Sequence, residues 1–199
     1  MDEKIRKHFR KVDPIIFSVV NKVGVLGPMI SNDYFSDLCE IIINQQLSDK
    51  AAATIFTRFK KIFPKGEITP QSLLKLSDEK IRSCGTSNAK VSFLKDLAKK
   101  ILAEELQLDE LDKLTDELVI TELTKVKGIG PWSAEMFLMF TLGRADIFSH
   151  GDLGLRNAIK KLYKFKKEPT KKQIEKIVEK WIPYRTYASR ILWKSLELK

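Results

Sequence analysis

The chain is poor in cysteine and histidine and has no long apolar run. Its two cysteines, Cys39 and Cys84, lie among 199 residues in helix-like contexts with no ligand spacing. That argues against a disulfide framework, a zinc site or an iron–sulfur cluster, and both read as core filler. The first apolar segment, I-I-F-S-V-V at 15–20, is too short to span a bilayer and lacks a small-residue cleavage site. Neither a membrane helix nor a secretory signal is expected, and the expected location is cytoplasm or nucleoid, or nucleus in a eukaryote. No alternating strand pattern persists, and no repeat, low-complexity tract or long linker interrupts the chain.

What is present is helical periodicity, and a 43% hydrophobic content sufficient for one substantial core or two small ones sharing an interface. Phe35, Leu38, Cys39 and Ile42 fall on one helical face, as do Tyr184, Ala188, Ile191 and Ser195. Helices are expected at 3–11, 13–23, 34–46, 49–62, 70–75, 78–83, 87–105, 116–125, 131–142, 153–163, 170–180 and 184–196. Breaks are expected at Gly-Pro 27–28, Pro64, Gly85, the turn at 128–130, Pro169 and Pro183. The formal charge of +10 is uneven: residues 156–199 hold 14 Lys+Arg against 4 Asp+Glu, whereas residues 1–155 balance at 22 against 22. A basic flank suits attraction to phosphate, and a solvated lysine-rich helix face would give the same composition. The acidic stretch at 104–117 should point away from any polyanion.

The densest signal is V-K-G-I-G-P-W-S-A-E at 126–135. Glycines at 128 and 130 let a two-helix turn take positive φ and bring backbone amides close to an anion. Pro131 suits the first turn of the helix that follows, whose dipole favours negative charge at its start. The turn reads as a clamp for a nucleic-acid backbone, with Lys127, Gly128, Gly130 and Ser133 as the contact residues. Ser133 would alternatively satisfy its own local backbone. In S-H-G-D, Asp152 is an isolated carboxylate placed to do chemistry, or to cap the helix starting at Leu153, and the two roles are compatible.

Four motifs occur in order: I-I-I-N-Q-Q-L-S-D-K-A-A at 41–52, L-T-K-V-K-G-I-G-P-W-S-A-E-M-F-L at 123–138, R-A-D-I-F-S-H-G-D-L-G-L-R at 144–156, and W-I-P-Y-R-T-Y-A-S-R-I-L-W at 181–193. Through them the chain resembles the helix-hairpin-helix DNA glycosylases, specifically the 3-methyladenine DNA glycosylase II branch, over nearly all of residues 30–196. The resemblance implies an all-α, two-lobed core with its active-site cleft between lobes. Lobe A would hold approximately 1–30 plus 131–199, and lobe B approximately 31–130.

The resemblance also implies a reaction. An N-alkylated purine carries positive charge and is already a good leaving group, so the chemistry needs mainly a carboxylate to stabilise the cationic deoxyribose; Asp152 takes that role and could also orient or deprotonate water. Relatives that also cut the strand carry a lysine just after the hairpin, where this chain has Trp132, so a monofunctional enzyme leaving an abasic site is expected. The base must leave the stack, and the wedge that fills the gap matches Gln45-Gln46, with Gln46 preferred. Trp132 and Trp193 match positions at the base pocket, where an aromatic face attracts a cationic ring; Met136 would line it, with Phe17 or Trp181 as lesser contributors. Tyr184 and Tyr187 read as packing. His150 could meet DNA, although a loop histidine is more often inert. Ser149 stands where relatives often have proline.

No cofactor is expected to be required. Carbonyls of Val126, Gly128 and Gly130 could hold a structural Na⁺ or K⁺, as the resemblance implies. The expected partner is double-stranded DNA containing alkylated bases, with no membrane, and the protein is expected to be a minimal monomer. Two alternatives remain: a glycosylase of the same fold for an oxidised or deaminated base, and a noncatalytic helix-hairpin-helix DNA-binding module.

Overall fold

Short polar side chains begin most of the helices. Asp2, Asp13, Asp33, Thr69, Ser77, Ser87, Thr115, Asp152 and Thr170 each accept a hydrogen bond from a first-turn amide. Each such cap satisfies a donor that has no intrahelical partner and contributes about 1 kcal/mol. The computed structural model describes residues 2–24, 26–27 and 30–198, so Pro28 of the expected 27–28 break lies outside the described residues.

Twelve α-helices occur among the described residues, and no strand: α1 (Glu3–Val12), α2 (Pro14–Val20), α3 (Tyr34–Asn44), α4 (Asp49–Lys61), α5 (Pro70–Leu74), α6 (Asp78–Arg82), α7 (Asn88–Leu102), α8 (Asp116–Leu123), α9 (Pro131–Phe140), α10 (Leu153–Leu162), α11 (Lys171–Val178) and α12 (Arg185–Glu197). Three 3₁₀ turns, at Pro64–Gly66, Leu108–Lys113 and Glu179–Trp181, join them. The all-α expectation and all twelve helices are present. The end of α3 differs, since it stops at Asn44 rather than 46 and Gln46 takes a left-handed φ of 57°.

The chain divides into two compact units, residues 1–30 with 143–199 and residues 31–142. The expected division at 130/131 is therefore displaced to 142/143. The reason is the packing of α9, which lies against α3 and α8. Its Phe137 is fully buried and meets the Tyr34 ring edge-on at 5.6 Å.

In the discontinuous unit, α12 packs against α10 and α2, and α1 packs against α2. Phe9, Ile16, Val20, Leu155, Ile159, Trp181, Ile191 and Leu192 fill its core. Each fully buried side chain of this size contributes about 1.5–3 kcal/mol. One buried carboxylate lies among them. Asp13 accepts from the Ile15 and Ile16 amides, the Tyr163 hydroxyl and the Trp181 indole. Burial, and then this hydrogen bond, push the Tyr163 phenol well above its ordinary range.

In the contiguous unit, α3 packs against α4, α7 and α9, and α5 against α7. The expected stripe is inside: Phe35, Leu38, Cys39 and Ile42 are all buried. Both cysteines are free and buried, as core filler requires, and burial raises both thiols.

Candidate active site and hairpin

The turn between α8 and α9 needs glycine at one of its two positions. Gly128 has φ 83°, and a Cβ there would lie 2.1 Å from the Phe93 ring, an impossible approach. Gly130 differs from expectation. It is the N-cap of α9 with φ −100° and ψ 179°, extended backbone open to any residue, and a Cβ there would meet nothing within 4 Å. The cap position dictates that conformation, since the residue preceding a helix is extended.

Of the amides in the turn, that of Lys127 donates to Asp96 Oδ2 at 2.7 Å, which anchors the turn to α7. The Gly128 and Gly130 amides donate to no group among the described residues. The carbonyls of Val126, Gly128 and Gly130 each accept one N–H, from Ile129, Gln45 and Ala134 respectively. A carbonyl has two lone pairs, so each keeps the capacity that a hard monovalent cation would use.

Gln45 and Gln46, adjacent in sequence, have separate environments. Gln45 Nε2 donates to the Gly128 carbonyl at 2.8 Å and to Ser133 Oγ at 3.0 Å. It ties the end of α3 to the hairpin, whereas the preferred wedge candidate is its neighbour Gln46. Ser133 is 3% exposed, and its Oγ accepts from Gln45, so what it satisfies is a distant side chain rather than its own local backbone. Gln46 is exposed at the tip of the turn, next to the exposed Leu47. Lys90, which sequence reading missed, caps the end of α3 by donating from Nζ to the carbonyls of Ile43 and Gln45, both at 2.8 Å. Partial burial lowers its ammonium pKa.

Asp152 occupies the N-cap of α10, and its Oδ1 accepts the Leu155 amide at 2.7 Å. The same oxygen accepts the Trp193 indole N–H at 3.0 Å. The segment leading to Asp152 is anchored to the start of α12: Asp146 makes a two-pronged ion pair with Arg185 at 2.8 and 3.0 Å, and Thr186 Oγ1 accepts the Ile147 amide at 3.0 Å. Ser149 is fully buried, and its carbonyl accepts the Asp152 amide at 3.2 Å. A carboxylate held this way can stabilise a neighbouring cation without rearranging.

The aromatic candidates separate by exposure. Trp132 is 36% exposed at the start of α9, whereas Met136 is 6% exposed on the buried face of that helix, and packing accounts for it. Trp181 is fully buried on Asp13, a core residue rather than a pocket wall. Phe17, Tyr184 and Tyr187 pack against the core of the discontinuous unit. His150 is exposed with its ring edge-on to Phe148 at 4.9 Å, and desolvation there lowers its pKa. The basic flank is partly neutralised, because Arg156 and Lys160 share Glu168.

A family model described as HhH-GPD superfamily base excision DNA repair protein matches residues 39–184. The chain belongs to this superfamily. It is 35% identical over 200 residues to DNA-3-methyladenine glycosylase 1 of Schizosaccharomyces pombe, covering 98% of this chain and 88% of the relative. Among solved structures it is similar to the S. pombe 3-methyladenine DNA glycosylase in complex with abasic DNA, at TM-score 0.90 and 35% identity over 98% of this chain and 97% of that one. It is also similar to a DNA-3-methyladenine glycosidase from Bacillus halodurans, at TM-score 0.82 and 32% identity over 99% of this chain and 90% of that one.

Proposed function

We propose that the protein is a monofunctional DNA glycosylase that hydrolyses N-alkylated purines of the 3-methyladenine and 7-methylguanine type from duplex DNA and leaves an abasic site for base excision repair. The observation that carries this reading is the similarity to named 3-methyladenine glycosylases across 98% of the chain. The carboxylate at position 152, braced at a helix start, supports it.

Asp152 stabilises the cationic deoxyribose as the charged purine departs and directs water to it. Trp132, half open at the start of α9, offers an aromatic face to the extruded base. It stands where a strand-cutting relative would need an amine, so no Schiff base forms there. Gln46 fills the gap in the stack. The Gly128 and Gly130 amides hold a phosphate, with Lys127 adding charge and the missing Cβ at 130 giving the backbone close access. The chemistry needs no cofactor; a Na⁺ or K⁺ on the hairpin carbonyls would add charge beside that phosphate. The protein acts as a monomer in the compartment that holds the DNA.

The test is release of free bases from methylated duplex DNA by the wild-type protein and Asp152→Asn, without added nuclease. Wild type is expected to release 3-methyladenine far faster than Asp152→Asn, with strands intact until alkali is added. Activity only on oxidised or deaminated duplexes would instead define a different lesion class, and binding without any release would define a noncatalytic module.

A further inference from the structure

Gly154 is the second residue of α10, a helical position where alanine is favoured over glycine. Its backbone is not in the left-handed region, so conformation does not call for glycine. Space does. A Cβ at 154 would lie 3.1 Å from Asp152 Oδ1, 3.1 Å from Trp193 Nε1 and 3.2 Å from Trp193 Cδ1. All three distances are tighter than ordinary van der Waals contact, and the atoms crowded are the two ends of one hydrogen bond.

We propose that Trp193 and Gly154 are positioning residues for Asp152. The indole N–H and the Leu155 amide hold Oδ1 from two sides, at 3.0 and 2.7 Å. This fixes the rotation of the carboxylate, and Gly154 leaves the gap through which the indole reaches it. The inference rests on the reading of Asp152 as the group that stabilises the sugar cation. Electrostatic stabilisation of a developing charge depends on a preorganised orientation, so a carboxylate free to rotate would spend part of its time misdirected. The role gives Trp193 a required N–H edge, where a pocket wall requires only a ring face. Phenylalanine would keep the face and lose the edge.

The experiment measures single-turnover release of 3-methyladenine from methylated duplex by wild type, Trp193→Phe, Gly154→Ala, Asp152→Asn and the Trp193→Phe/Asp152→Asn double variant. Affinity for a duplex carrying a stable abasic analogue and the thermal midpoint are measured alongside. Trp193→Phe is expected to slow release about tenfold, the scale of one lost hydrogen bond to a charged group, with duplex affinity unchanged. Gly154→Ala is expected to slow release while the thermal midpoint holds or rises, because alanine favours the helix; a merely structural role would lower both together. In the Asp152→Asn background, Trp193→Phe is expected to have no further effect.

Release by Trp193→Phe at the wild-type rate, with Asp152→Asn reduced to a slow residual rate, overturns the positioning role alone. An equal Trp193→Phe loss with and without Asp152 does the same and makes the indole a pocket wall. Full release by Asp152→Asn overturns the reading of Asp152 and the positioning role with it. A wild-type protein that releases no alkylated base overturns the proposed function and this inference together.

Discussion

The side-chain amide of Gln45 donates to the carbonyl of Gly128 across 83 residues of sequence, at 2.8 Å. Its second hydrogen, on Ser133 Oγ, makes the end of α3 and the hairpin one hydrogen-bonded piece. Gln45→Ala is expected to lower stability by about 1–3 kcal/mol, because it leaves the buried Ser133 hydroxyl and a turn carbonyl without their partner. The exposed Gln46→Ala is expected to stay within about 0.5 kcal/mol of wild type and to slow base release. Urea denaturation and single-turnover assays of the two variants check this contrast.

The two hairpin glycines should respond differently to alanine. Gly128→Ala combines a positive φ with a collision on Phe93, and a loss of about 2–5 kcal/mol is expected. Gly130→Ala meets no atom and should cost about 1 kcal/mol or less as a weaker cap, while reducing affinity for duplex DNA. Fluorescence anisotropy with a labelled duplex, beside urea denaturation, separates the two effects.

The buried hydrogen bonds on Asp13 predict a pH dependence with a defined sign. The phenol of Tyr163 ionises near 10.0 when unfolded and is held neutral, well above that, when folded. Above pH 10 the unfolded state therefore binds fewer protons than the native state, and stability falls as pH rises. Tyr163→Phe should remove that component, and should itself cost about 1–3 kcal/mol at neutral pH by taking one donor from a buried carboxylate. Denaturation midpoints of both proteins from pH 8 to 11 provide the check.

Neither thiol should react in the native protein. Cys39 and Cys84 are buried, and burial raises both thiols above the ordinary value, so little thiolate is available to attack. A disulfide reagent at pH 8 is expected to label neither cysteine until denaturant is added, and both afterwards. Rapid native labelling of either would contradict the packing of α3 or of the turn after α6.

Helix positions were legible because their signals are local: a Ser, Thr or Asp cap, a proline at a first turn, an apolar face. Partners distant in sequence were not. Gln45 and Gln46 carry identical side chains, and what separates their roles is a φ of 57° at one and a bond to Gly128 at the other. Trp193 was legible as an aromatic near the site, but its edge-on use depends on Gly154 and Asp152, 39 and 41 residues away. The motifs did contain Asp146 and Arg185, although their ion pair joins elements 39 residues apart. The displaced boundary at 142/143 has the same origin, since a helix's unit is decided by what its buried face meets.

The core shared by residues 1–30 and 143–199 imposes an order on biosynthesis. Residues 31–142 are contiguous, and the contacts of α3 with α4, α7 and α9 can form as soon as that stretch leaves the ribosome. The apolar face of α2 must wait for α12, and that of α1 for the 3₁₀ turn at Glu179–Trp181, both at the far end of the same unit. At about 5–20 residues per second, that wait is on the order of ten seconds or more. Throughout it the nascent chain carries Phe9, Ile16 and Val20 without the surface that will cover them. The interval is the one in which a holding chaperone would have most to bind.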